Sequence, residues 1–490
     1  MSTVLAEFCQ RVEGIPFHGM GLSADAYQPD VADVMAGLQR QGCPPDFVEL
    51  FRAGTPMLAA LRRRFPQVPM PYHAEGLWLT RAGWLGEGAP LPGDLVLALE
   101  QVRTLKSAWL NHECASKLIG DYPVGTYLPP LFSASSAARV ARHARQIQAQ
   151  LDLIAGPGRG DGAGGALLLL ELPPLTYFRL GDRPVGRYFR DLTAAAPCGL
   201  VLDIGHLWTH YRYGPRPPGV SLASFVARFL EDFPVERVVE IHVAGLEVHP
   251  AERTAEGTGE PWWLDAHGAP IPGVLFDMLE QVLADRRLTA LRGVALEVDT
   301  KPVELIVTEF DQFRRRFGPC VDSVRRRATS PSAAPGGSDR LEQRSAPRDT
   351  ESAVELEQAY ARAVFGCDED ARGLGCTAEQ CEGLRRYREQ YLPYELMHWG
   401  GDLPQMFPQT CAGLATQGIA FAEFVPFWFA ECPAIPEPYD FFLLKLDRFV
   451  EFVVSRAPAL RSVAEGEAEH LRLAYACANE PVPVAAGDEP

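Results

Sequence analysis

Eight short apolar runs, each separated from the next by a longer stretch, occupy the first 300 residues of the chain. They are Ile15–Leu22, Asp46–Phe51, Val68–His73, Trp109–His112, Ala166–Glu171, Gly199–Asp203, Arg237–His242 and Gly293–Val298. Between them Val31–Gln41, Met57–Phe65, Asp94–Thr104, Ala137–Ile154, Leu222–Phe233 and Val274–Asp285 carry apolar residues at helical spacing. Strand alternating with helix eight times, over about 320 residues, is the count of a (β/α)₈ barrel. A doubly wound open sheet is the rival, and no glycine-rich dinucleotide fingerprint supports it. The one glycine-rich run, AGPGRGDGAGG from Ala155 to Gly165, precedes a strand and reads as a loop.

From Arg325 to Ser352 the chain reads RRRATSPSAAPGGSDRLEQRSAPRDTES, with almost nothing to bury. Such a composition predicts a solvated linker. The expected division is therefore a barrel over residues 1–324, a flexible linker over 325–352 and a smaller, mainly helical domain over 353–490. In the last of these, Glu355–Phe365, Thr377–Arg388 and Tyr439–Ser455 have helical periodicity, and IAFAEFVPFWFAECP from Ile419 to Pro433 is densely aromatic. Phe421–Phe429 is a candidate peptide groove, with ordinary core or a homodimer contact as its plainer uses.

Lys and Arg number 46 against 63 Asp and Glu, a net charge of −17. Phosphate backbones are bound chiefly through Lys and Arg, so this balance argues against nucleic acid and against an anionic membrane surface. Met1–Glu13 lacks the basic start and apolar run of a signal peptide, and the most apolar stretch, Ala166–Leu172, is too short to span a bilayer. A soluble, cytoplasmic protein is expected. The 11 cysteines contain no CxxC pair and read as reduced core residues.

The strand ends carry the chemistry. His73, His112, Glu171, Asp203, His242 and Glu297 each fall at or next to the C-terminal end of an expected barrel strand, where such folds build their active sites. Asp203-x-x-His206 and Asp265-x-His267 add two loop motifs. Five histidines and four carboxylates form a donor set for iron, manganese or zinc. Nine donors exceed one ion's need, so two or three metals with Glu171 as a bridging carboxylate are expected; cations also relieve the repulsion among packed acids. Singly, each residue has a structural reading: His73 a bonded core histidine, Asp203 and Asp265 helix N-caps, Glu297 an ion-pair partner. Independent structural roles do not explain acids and imidazoles recurring at strand ends. His210 and His249 read as surface positions, and Trp208, Trp262 and Trp263 as pocket walls or core.

PYHAEGLW, WLNHECASKL, LLLLELPPLTY, LVLDIGHLWTHY, VVEIHVAGLEVHP, WWLDAHGAPIP and GVALEVD stand in the order and spacing of the multinuclear non-haem iron-dependent oxidative enzymes, which the chain resembles over residues 14 to 318. The resemblance implies a xylose-isomerase-like barrel with two or three irons in mixed Fe(II)/Fe(III) states, dioxygen as co-substrate, and oxidative modification of a residue, very often cysteine, in a ribosomally made precursor peptide. It implies one site of His73, His112 and Glu171, a second of Glu171, Asp203, His242 and Glu297, and a third of His206, Asp265 and His267. Glu171, Asp203 and His206 are the implied catalytic residues. Leu172 stands where members often carry Asn, and His206 where some carry Asn. The C-terminal domain resembles the peptide-binding partner proteins of that family, here fused to the enzyme. The same nine residues also resemble the trinuclear zinc endonucleases that cut abasic DNA, and a sugar isomerase or epimerase on the same barrel is a third reading. A metal-dependent scaffold whose useful part is the C-terminal module is a non-enzymatic alternative.

Overall fold

The computed structural model describes residues 3–26, 29–51, 53–86, 88–120, 122–155, 165–174, 178–214, 219–249, 261–328, 350–366, 368–398, 401–430 and 439–479. Twelve strands lie among them: β1 Gly19–Asp25, β2 Val48–Phe51, β3 Tyr72–His73, β4 Trp109–Glu113, β5 Ser116–Ile119, β6 Tyr122–Leu128, β7 Leu167–Glu171, β8 Gly199–Asp203, β9 Val238–Val243, β10 Leu246–His249, β11 Trp262–Asp265 and β12 Gly293–Glu297. Eight close into a parallel barrel in the order β1, β12, β9, β8, β7, β4, β3, β2. Every one of the eight expected apolar runs supplies a barrel strand, and the (β/α)₈ class is borne out. The other four form two antiparallel hairpins, β5–β6 and β10–β11, that grow from the C-terminal ends of β4 and β9.

Strand parity decides what faces where. A parallel strand covered on both sides is apolar throughout, and its side chains alternate between barrel interior and helix layer. Leu167 and Leu169 join Trp109, Val201, Val239 and Ala295 inside the barrel, while Leu168 and Leu170 join the larger core beneath the helices. Continued by two residues, the inward row of β7 ends at Glu171 and that of β8 at Asp203. Phe8 and Val12 of the Thr3–Glu13 helix extend the interior cluster at its other end.

The barrel's last helix runs from Val303 to Ala328, and the C-terminal region opens with the Thr350–Phe365 helix; residues 329–349 of the expected linker lie outside the described residues. The expected third helix forms as Ala378–Arg386, with a Thr377/Gln380 capping box, and continues through a π-turn over Tyr387–Tyr391. These helices do not stand apart from the barrel. Val124, Leu128, Phe178 and Leu264 share one core with Tyr360, Tyr387, Phe424, Trp428 and Phe449. Tyr360 donates to the carbonyl of Pro129 at 2.6 Å, Trp428 to Pro123 at 2.8 Å and Tyr439 to Val124 at 2.7 Å. Phe424 and Trp428, from the aromatic stretch, are core residues rather than groove walls. Among the described residues no helix is long and apolar enough to cross a membrane.

Candidate metal centre

The inward rows of the barrel converge at its C-terminal mouth on Glu49, His73, Asn111, Glu113, Glu171, Asp203, Glu240, His242 and Glu297, all from barrel strands. Glu171 is the hub. Its Oε2 accepts from Asn111 Nδ2 at 2.8 Å and lies 3.4 Å from His73 Nε2 and 3.5 Å from His242 Nδ1; its Oε1 lies 3.6 Å from His206 Nδ1. Glu297 Oε1 stands 3.2 Å from His242 Nδ1, and its Oε2 3.4 Å from His267 Nε2.

Local structure explains the loop contributions. Asp203 ends β8 and N-caps the Ile204–Tyr213 helix, Oδ1 accepting from the His206 amide at 2.5 Å while Oδ2 is buried without a hydrogen-bond partner. The cap and the donor are thus two oxygens of one carboxylate. The same turn sends the His206 ring inward, where Nδ1 donates to the Leu172 carbonyl at 2.5 Å and Nε2 meets Asp265 Oδ2 at 2.9 Å. His267 is held likewise, Nδ1 on Asp299 Oδ1 at 2.7 Å and Nε2 toward Asp265 and Glu297. A β-bulge where β8 meets β9, between Leu200 and Val201, shifts the register so that Glu240 and His242 pair with Val201 and Asp203.

His112 is placed differently. In β4 the parity that sends Trp109 inward also sends Asn111 and Glu113 inward, and His112 faces the opposite side, against Trp78 and Tyr127. Its Nε2 accepts from the Leu77 amide at 3.1 Å and Nδ1 bonds the Glu113 carbonyl at 2.6 Å. Glu113 stands beside His73 instead, at 3.6 Å. The structure therefore gathers His73, Glu171, Asp203, His206, His242, Asp265, His267 and Glu297, and keeps His112 one layer behind. Glu49, Glu113, Glu240, Asn111 and Asp299 were not singled out from sequence; for Glu49 and Glu113 the available signal was parity, each being an acid on the inward row of its strand, whereas Glu240 follows the inward Val239 and is turned in by the bulge. His210 packs against Phe225 and Phe229 and is half-buried. Trp208 packs against Trp263 at 5.4 Å, while the Trp262 and His249 side chains lie outside the described residues.

Electrostatics show how poorly this cluster stands as bare protein. Burial pushes Asp203 up to about 8, against His206 and aided by Glu297, and pushes Glu113 up to about 7 against His73. Burial and the neighbouring Glu49 bring Glu240 to about 8. Burial by itself lowers His73, yet Glu113, Glu171 and Glu49 outweigh it and bring the imidazole to about 10. Glu171 is held far below the usual carboxylate range because His242, His73 and His206 overcome the burial that raises it. Oxygens of Glu113, Asp203, Glu240, Asp265 and Glu297 and both nitrogens of His242 are buried without hydrogen-bond partners. Orphaned buried donors each cost on the order of 1–3 kcal/mol, more when charged. Oxygen and imidazole donors converging with open valences fit divalent cations of the iron, manganese or zinc type. Donor atoms of Glu171, Asp203 and His242 all lie within 4.8 Å of one another, as do those of Glu49, Glu240 and His242.

Residues 165–316 match the family described as "RiPP precursor modification enzyme MbnB/TglH/ChrH". The resemblance to the multinuclear iron oxidative enzymes is borne out by that match, which spans β7 through most of the Val303–Ala328 helix. A UPF0276 protein of Bordetella bronchiseptica is 28% identical over 261 residues, 52% of this chain and 76% of that protein. Another, from an Anaeromyxobacter species, is 23% identical over 282 residues, 56% and 83% of the two chains. Among solved structures, a D-psicose 3-epimerase from Clostridium cellulolyticum H10 is 10% identical with a TM-score of 0.33, over 63% of this chain and 99% of that one. The family match and the donor cluster together support a metalloenzyme on a (β/α)₈ barrel.

Proposed function

With that match as premise, we propose that this chain is an iron- and dioxygen-dependent oxidoreductase that modifies a residue, in the first instance cysteine, of a ribosomally made precursor peptide. The observation that carries the metal reading is the set of orphaned buried donors around Glu171. His73, Glu171, Asp203, His206, His242, Asp265, His267 and Glu297 would hold two or three irons, whereas His112, bonded to Leu77 and Glu113 on the other side of β4, would support the set from behind. Bound iron supplies redox and Lewis-acid chemistry, including activation of dioxygen and acidification of a coordinated thiol.

The chain's own residues do the rest. Asn111 fixes the Glu171 carboxylate, and the Leu172 carbonyl and Asp299 fix the rings of His206 and His267, leaving one lone pair of each toward the cluster. His267 and Asp265 are the most exposed of the donors, with side chains 24% and 15% accessible, so substrate approaches from the β11–β12 side. On the β4 side the β5–β6 hairpin packs Tyr127 against His112, and Tyr439 from the helical region packs against Trp78. We propose that the C-terminal helical region also recognises the precursor, which raises the peptide's effective concentration at the mouth.

The test is metal analysis of protein purified without oxygen, followed by incubation with dioxygen and a cysteine-containing peptide encoded beside it. Two or more irons per chain and a mass change that Glu171→Ala abolishes are expected. Zinc alone with nicking of abasic duplex DNA, or full turnover by Glu171→Ala, overturns the reading.

A further inference from the structure

Three of the mouth histidines share one construction. His206 spends Nδ1 on the Leu172 carbonyl and presents Nε2; His267 spends Nδ1 on Asp299 and presents Nε2. His242 is the mirror case: Nδ1 faces Glu171 and Glu297 at 3.5 and 3.2 Å, and Nε2 faces Glu49 Oε1 at 3.2 Å and Glu240 Oε1 at 3.6 Å. Nε2 makes no hydrogen bond in this structure, and Glu49 and Glu240 are the carboxylates that face it.

The two carboxylates are not equivalent. Glu49 is anchored at both oxygens, Oε1 accepting from Ser23 Oγ at 2.9 Å and Oε2 from Trp109 Nε1 at 3.3 Å, whereas both oxygens of Glu240 are orphaned. All four side chains around this point, Glu49, Glu240, His242 and Ser23, are fully buried. A carboxylate already oriented by two donors is a preorganised acceptor. A neutral imidazole that hydrogen-bonds a carboxylate does so through an N–H, which leaves the lone pair on its other nitrogen.

We propose that Glu49 is a positioning residue of the metal centre: held by Ser23 and Trp109, it takes the Nε2–H of His242 and so commits Nδ1 to the metal beside Glu171, Asp203 and Glu297. The proposal rests on the reading that the mouth holds metal, and it extends the centre to a residue behind the donors themselves. Partners of this kind orient the ring and raise its basicity, and their loss commonly costs about 10- to 100-fold in metal affinity.

The experiment compares wild type, Glu49→Gln, His242→Ala and the double variant, each loaded with Fe(II) without oxygen. Metal count at saturation and the rate of loss to a chelator are measured. Glu49→Gln is expected to keep the wild-type count but release iron about 10- to 100-fold faster. In the His242→Ala background the same change is expected to add little, because the two residues act through one contact. Zinc-loaded protein with ¹⁵N-labelled histidine gives a second readout, a single Nε2–H tautomer at His242 that becomes mixed in Glu49→Gln. Ser23→Ala, which removes only one anchor, provides a milder variant if Glu49→Gln fails to fold. Unchanged release rates and tautomer overturn the proposal, and so does one ion fewer at saturation, which makes Glu49 a ligand. Wild type that binds no transition metal defeats the functional reading instead, a distinguishable result.

Discussion

Glu357, on the first helix of the C-terminal region, accepts from the backbone N–H of Gly120 at 3.1 Å and from that of Ala82, joining the loop after β3 to the β5–β6 hairpin. One carboxylate from the helical region thus satisfies two barrel amides, and burial raises its pKa despite both bonds. Glu357→Ala strands both N–H groups in a buried seam. The expected cost is about 2–3 kcal/mol in chemical denaturation, with faster hydrogen exchange at Ala82 and Gly120. Unchanged protection at those two amides contradicts the contact.

Removing metal tests the mouth directly. Bare, the cluster holds raised acids and protonated imidazoles; a cation replaces that compromise and binds only the folded arrangement. Adding Fe(II) without oxygen to chelator-stripped protein at a thousandfold excess over its dissociation constant should stabilise it by about 4 kcal/mol. A rise in melting temperature that Glu171→Gln largely removes is the expected calorimetric result. Equal melting curves with and without metal would count against a cluster built for cations.

How much of this was readable beforehand follows from strand parity. Glu171, Asp203, His242 and Glu297 were legible because they end strongly apolar strands, and such ends meet at one mouth in any barrel of this kind. His112 shows the limit. Position at a strand end says nothing about which side of the sheet a side chain faces, and Trp109, three residues earlier, assigns the inward row to Asn111 and Glu113. Glu49 and Glu240 were hidden for the converse reason: each looks like a stray acid in an apolar strand until the strands are laid in register. The β5–β6 and β10–β11 hairpins were missed because short strands inserted in a connection lack a periodic signal of their own. The docking of the helical region depends on pairings such as Trp428 with Pro123, separated by 305 residues, which no local pattern encodes.

Acid should destabilise the barrel through histidines outside the mouth. His143 is buried in the Ala134–Ala155 helix, where Nδ1 bonds the Leu79 carbonyl at 2.8 Å, and burial lowers its pKa from 6.5 to about 4. The unfolded chain therefore binds more protons between those values, so stability is present above 6.5 and lost as pH falls toward 4. The full depression corresponds to roughly 3 kcal/mol. His143→Gln, which keeps a donor for Leu79, is expected to flatten the pH 6.5-to-4 slope of unfolding free energy relative to wild type. Parallel slopes in the two proteins would show that His143 is already charged when folded.

Gly245 sits where the loop after β9 passes under the loop that carries Asp265 and His267. A Cβ there would stand 2.0 Å from the Ala269 carbonyl oxygen and 2.9 Å from that of Ala266, both backbone atoms that no rotamer change can clear. Gly245 is needed for close approach. Gly245→Ala must therefore push the Ala266–Ala269 segment outward, and with it the two donors on which the third set depends. Displacement of a site by about 1 Å can cost on the order of a hundredfold in rate. The expected phenotype is an intact barrel by circular dichroism with turnover down by about that factor and iron bound near His267 weakened, while ions beside Glu171 remain. If Gly245→Ala retains wild-type turnover and metal count, the Asp265–His267 loop has slack that this packing denies it, and the third set does not depend on the crossing at Gly245.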